Sequence, residues 1–134
     1  MMSRKGIPFG LLFWEERKTM ISTKIYVGLN DSVTKTQLFE TEMYIKILKD
    51  VCRSYGIPFS FGVEEGGYVH ADGEYTREMT LVITLIDIDR SIINEIAKDL
   101  CAFFNQESVL IVENTVRAYY VSDSVRECAE KQDP

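Results

Sequence analysis

The residue types best suited to chemistry at neutral pH gather in one stretch, where Tyr68, His70, Tyr75, Arg77 and Glu78 follow one another closely. His70 is the only histidine in the chain, which excludes a multi-histidine metal site but leaves a lone general base open. His70 and Arg77, on the same predicted face, would suit an anionic or aromatic ligand. Successive strand residues point to opposite faces, so Arg77 and Glu78 are not expected to share a site. Farther on, Gln106-Glu107-Ser108 offers a carboxylate and a hydroxyl, yet a serine nucleophile needs a base that no neighbour supplies. Side chains at such a helix-to-strand junction often satisfy loop backbone groups, and that structural reading is preferred for the three residues, with Glu107 kept as a candidate for a ligand or partner. With no phosphate loop, no metal-ligand spacing and no complementary acid and base, no metal or cofactor is expected.

The three cysteines, Cys52, Cys101 and Cys128, are an odd number without close spacing. They read as free thiols of a reducing cytoplasm rather than as a disulfide framework or a zinc site. The 134 residues suit one core, and 46% hydrophobic with 27% charged residues is ordinary for a globular protein. The net charge of −6 disfavours non-specific binding to nucleic-acid phosphates. Gly6 to Trp14 is apolar but is interrupted by Pro8 and Gly10 and is too short to span a bilayer. Residues 1–21 therefore read as an appendage or an over-extended translation start, residues 22–121 as one α+β domain, and residues 122–134 as a polar tail. No membrane partner is expected.

The elements that must position these groups are organised by a hairpin. Asp72-Gly73 is a strong two-residue turn signal, because both central positions of a type I′ turn need positive φ. After it, Met79, Leu81, Ile83 and Leu85 alternate with Glu78, Thr80, Val82 and Thr84, the period of a strand with one apolar face. Before it, Phe59, Phe61 and Val63 form the matching face. A regular ladder from a two-residue turn would put these faces on opposite sides of the sheet. An extra residue at Gly66-Gly67, as a bulge, restores the match and pairs Phe61 with Ile83. That register also predicts Tyr68, His70, Tyr75 and Arg77 together on the helix-facing side, rimming a pocket. The plainer reading is that they shield the edge of the core with their polar ends in water.

A first strand is expected over Lys24 to Leu29 and ends at Asn30-Asp31-Ser32. Thr34 and Gln37 have the spacing of a capping box before a helix that runs to Tyr55, where Gly56 stops it. Asp87 or Asp89 caps a second helix carrying Ile92, Ile93, Ile96, Leu100, Phe103 and Phe104. Val109 to Val112 is a final strand that Val116 to Val121 extends or pairs with. The order β-α-β-β-α-β predicts a ferredoxin-like α+β fold, an antiparallel sheet with two helices on one face and the other face open. In that order the first and third strands are neighbours, which would bring Tyr26 near Glu78 on the open face.

The chain resembles a small bacterial family whose function is unsettled. The residues that carry the likeness are Gly28-Leu29, Gly66 to Tyr68, Asp72-Gly73, Arg77-Glu78 and Phe104 to Leu110, across roughly Thr23 to Val121. Tyr68 stands where that family tends to have tryptophan, and Asn105 where it tends to have glycine. The resemblance implies a fold and a shared hairpin rather than an activity. The leading functional expectation is a non-enzymatic binding module that binds without turnover. It has a protein partner or associates with itself through an edge strand or the open sheet face, where Tyr26, Thr80, Val82 and Thr84 are plausible contacts, and one form of it is a mobile-element inhibitor of a host factor. The alternative is a small enzyme acting on an aromatic or carbonyl compound at the hairpin rim.

Overall fold

A computed structural model describes residues 18–69 and 71–123. The chain forms β1 (Lys18–Gly28), α1 (Thr41–Ser54), β2 (Ser60–Val69), β3 (Tyr75–Ile86), α2 (Arg90–Phe103) and β4 (Leu110–Ala118). The sheet order is β2-β3-β1-β4, and the fold is ferredoxin-like with antiparallel strands. Ile21–Asn114 make one compact unit, while the described end residues 18–20 and 115–123 belong to a second. Among the described residues no helix is long and apolar enough to cross a membrane.

The strand periodicity becomes a core because the odd-numbered side chains of β1 and β3 share one face. Ile25 pairs with Ile83, Val27 with Leu81 and Thr23 with Leu85, and all six are essentially buried. Onto this face α1 brings Tyr44, Leu48, Val51 and Cys52, and α2 brings Ile93, Ile96, Ala97 and Leu100. These spacings keep one stripe of each helix inward. Each large apolar side chain so removed from water contributes about 1.5–3 kcal/mol. The hydroxyl of Tyr55 donates to Asp99 Oδ2 at 2.8 Å, joining the end of α1 to α2. Burial pushes the Cys52 thiol up to about 11, so it is a core side chain and not a reactive one.

Several local expectations are corrected. No bulge occurs at Gly66-Gly67: Gly66 pairs with Glu78 and Gly67 with Arg77 in an unbroken ladder, and neither glycine has positive φ. Phe61 does lie across from Ile83 and Val63 from Leu81. Loop length rather than a bulge sets this register, because residues 70–74 intervene between the last pair, Val69 and Tyr75. Gly73 takes the positive φ of that loop, at 88°, and Asp72 Oδ1 accepts from the Glu74 N–H.

β1 begins at Lys18 rather than Lys24, so residues 18–21 are strand and not appendage. Most of the expected appendage and of the polar tail lies outside the described residues, as does Cys128. Thr34 and Gln37 do not cap α1, whose N-cap position is Glu40. Instead, Gln37 bridges back to Asn30, and the residues between form a closed loop. Gly56, at φ 66°, ends α1 as expected. Asp89 occupies the N-cap position of α2, but no side-chain hydrogen bond caps that helix; the Asp89 carboxylate accepts from the Ser91 hydroxyl.

Candidate functional site

Where β1 ends, the sheet stops being apolar and a polar junction takes over. Leu29 N–H still donates to Met79 O at 2.9 Å, but the next residue, Asn30, makes three different contacts. Its backbone N–H donates to Glu78 Oε2 at 3.0 Å, its amide Nδ2 donates to Arg77 O at 3.1 Å, and its carbonyl accepts from Gln106 Nε2 at 2.6 Å. Asn30 is 8% exposed. A buried amide left without these partners would cost free energy comparable to a lost hydrogen bond, so the three contacts fix β1, β3 and the α2–β4 junction to one another.

Glu78 is the centre of this arrangement. Its carboxylate lies over Gly28, in the space that a Cβ there would occupy. Gly28 therefore lets the side chain lie flat along the sheet, and the Asn30 N–H holds one oxygen by a charge-assisted bond. Around it is an open depression of about 290 Å³, lined also by Asp31, Lys35, Tyr68, Gln106 and Glu107. Glu78, Asp31 and Glu107 give it an acidic floor and Lys35 a single cationic wall.

The loop after Asn30 is braced by Asp31. Its Oδ1 accepts from Asn105 Nδ2 at 2.8 Å, and its Oδ2 accepts from the N–H groups of Val33 at 2.9 Å and Thr34 at 3.1 Å. The Asn105 amide first, then these two N–H groups, hold its carboxyl below the usual carboxylate range. Asn105 sits at φ 51°, a backbone conformation that glycine and asparagine adopt most readily. Its carbonyl accepts from the Ser32 N–H at 3.0 Å, a second tie between the junction and the loop. Cys101 Sγ contacts Gln106 O at 3.0 Å, which supports the same turn from below.

Of the residues singled out from sequence, the fold brings Tyr68, Glu78 and Glu107 to this depression. The absence of a bulge moves Tyr68 to the face of Thr76 and Glu78, away from Tyr75 and Arg77. The expected Tyr68–Tyr75–Arg77 rim does not form. Tyr75 is 72% exposed and its ring lies over Gly67. Arg77 turns outward to Glu65, with Nε to Oε2 at 2.8 Å. Tyr26 shares the open face with Glu78 and pairs with Val82, one pair along that face from the Gly28–Thr80 pair over which the Glu78 carboxylate reaches. Val82 is only 6% exposed within one chain and is not a free contact for a second copy. His70 lies outside the described residues. Of the Gln106-Glu107-Ser108 junction, expected to satisfy loop backbone groups, Gln106 does so through Asn30 O and Phe104 O. Sequence reasoning missed Gly28, Asn30, Asp31 and Lys35 as parts of a site; the Asn-Asp pair at a strand end and the glycine before it were the available signals.

No family model and no curated protein matches the chain. Solved structures do. A phage SAM lyase in complex with S-methyl-5'-thioadenosine is 23% identical, with a TM-score of 0.55 over 77% of this chain and 93% of that one. A phage SAM lyase in the apo state is 23% identical, with a TM-score of 0.57 over 78% and 94%. The ATP complex of GlnK from B. subtilis is 15% identical, with a TM-score of 0.49 over 73% and 82%. At these identities the likeness is one of fold.

Proposed function

We propose that the depression around Glu78 binds S-adenosylmethionine and that the chain cleaves it to S-methyl-5'-thioadenosine. As a small mobile-element protein it would thereby remove a methyl donor on which host factors depend. The observation that carries this is the Glu78 carboxylate, fixed by the Asn30 N–H over Gly28 at the floor of the depression. A sulfonium is a permanent cation, and a carboxylate held in place by its surroundings attracts it without first having to be ordered. Tyr68 adds an aromatic side chain to the same lining, a group suited to cations and to flat bases. The fold shared with a phage SAM lyase supports the same reading.

Cleavage would ask little of the protein in proton transfer. When a carbon–sulfur bond of a sulfonium breaks, the bond pair stays on sulfur, which becomes a neutral thioether. The electron-poor carbon is satisfied by the substrate's own carboxylate oxygen, which closes a lactone as the carbon–sulfur bond breaks, so no proton has to be moved. No general acid is needed for the leaving group, which agrees with a sequence in which no acid–base pair can be assigned.

The test is to incubate the purified full chain with S-adenosylmethionine, follow S-methyl-5'-thioadenosine by chromatography and measure binding by calorimetry. Product is expected to accumulate in proportion to protein and time. Binding with no product would make the chain a capture module, the function expected from sequence. Neither binding nor product from folded protein would refute the assignment of this ligand.

A further inference from the structure

The depression pairs an acidic floor with one cation, and that cation is placed with care. Lys35 has a positive φ of 63°, a conformation rare for a residue with a long side chain. It is held there because its N–H donates to Asp31 O at 2.8 Å while the Asp31 N–H donates to Thr36 O at 2.8 Å. The Asn30–Gln37 bridge closes the loop at its base. The loop is therefore anchored to the same residue, Asn30, that fixes Glu78.

The carboxylate of Asp31 is engaged by Asn105, Val33 and Thr34, and that of Glu78 by Asn30. Lys35, by contrast, makes no salt bridge among the described residues. It also lines an adjoining depression of about 340 Å³ whose other cation, Arg77, is paired with Glu65. The Lys35 charge acts on the nearby Asp31 carboxylate without a salt bridge, and it lines the same depression as the fixed Glu78 carboxylate. A ligand matching both must carry a cationic centre and an anion on a short tether.

We infer that Lys35 is a specificity-determining residue that binds the α-carboxylate of an amino-acid-bearing nucleoside while Glu78 faces its positive centre. This rests on the reading of the Glu78 depression as a site for S-adenosylmethionine and adds the part of the ligand that it recognises. The amino-acid end distinguishes the substrate from S-methyl-5'-thioadenosine, so such a contact would favour substrate over product.

The probes are S-adenosylhomocysteine and its decarboxylated counterpart, thioethers that cannot undergo sulfonium cleavage. Their dissociation constants are measured with the wild-type chain, Lys35→Met and Lys35→Arg, each checked for folding by its melting curve. Wild type is expected to prefer the carboxylate-bearing probe by about fivefold, the size of a partly exposed ion pair. Lys35→Met should bring the two constants together and Lys35→Arg should keep most of the preference. A preference that survives in Lys35→Met, or none in wild type, overturns the role of Lys35 while leaving the ligand assignment standing. Failure of both probes and of S-adenosylmethionine itself to bind folded wild-type protein overturns the two together.

Discussion

Between Leu81 and Leu85, β3 is sealed on one face by the apolar side chains of both helices, whereas at Arg77 and Glu78 the same strand is held by polar contacts from Asn30, which Gln106 holds in turn. The apolar end gains from area removed from water and is indifferent to small rotations of its side chains. The polar end depends on direction: Asn30 reaches Glu78, the carbonyl of Arg77 and Gln106 only if β1, β3 and the α2–β4 junction keep their places. Within that end the neighbours Arg77 and Glu78 differ again. Glu78 lies over Gly28 and is held by a backbone donor, while Arg77 reaches into solvent and pairs with an exposed glutamate. Adjacent side chains of one strand thus have separate fates, one ordered toward a depression and one at the surface.

The largest expected effect breaks the apolar end. Ile83 is fully buried between Phe61 and Ile25, so Ile83→Ala should destabilise the chain by about 2–5 kcal/mol. Denaturant unfolding measures it. A loss under 1 kcal/mol would mean that the helices do not seal this face.

A smaller effect sharpens the polar end and depends on pH. The carboxyl of Asp31 is held below the usual carboxylate range by Asn105, Val33 and Thr34. A group whose folded pKa is depressed adds stability that is complete above its unfolded value, about 3.9, and disappears as pH falls through the folded value. Wild type should therefore be more stable than Asp31→Asn near neutrality, and the gap should shrink on acidification below about pH 4. Parallel loss in the two proteins would show that this loop brace adds nothing to folding.

Much of the fold was legible because it rests on periodicity. The alternation from Met79 to Leu85 gave the strand and its inward face, and the requirement that Phe61 meet Ile83 gave the correct pairing. The mechanism offered for that pairing was wrong, since Asp72-Gly73 signals a turn but not how many residues surround it. The error mattered, because a bulge at Gly66-Gly67 would have put Tyr68 with Arg77 instead of with Glu78. Asn30, Asp31, Asn105 and Gln106 were harder to read. Their hydrogen bonds join positions 47 to 76 apart in the chain, and lone polar residues at element ends have no period to betray which partner they will find.

The most direct test of the account compares the two neighbours on β3. The affinity for S-adenosylmethionine is measured for Glu78→Gln and Arg77→Gln, with the melting curve of each recorded beside it. Both substitutions remove one charge from the same strand, and the exposed Arg77–Glu65 pair is worth only about 0–1 kcal/mol to folding. Glu78→Gln should lose tenfold or more in affinity while remaining folded, and Arg77→Gln should bind as wild type does. Equal affinities for the two variants, or a greater loss in Arg77→Gln, would contradict the placement of the site at Glu78.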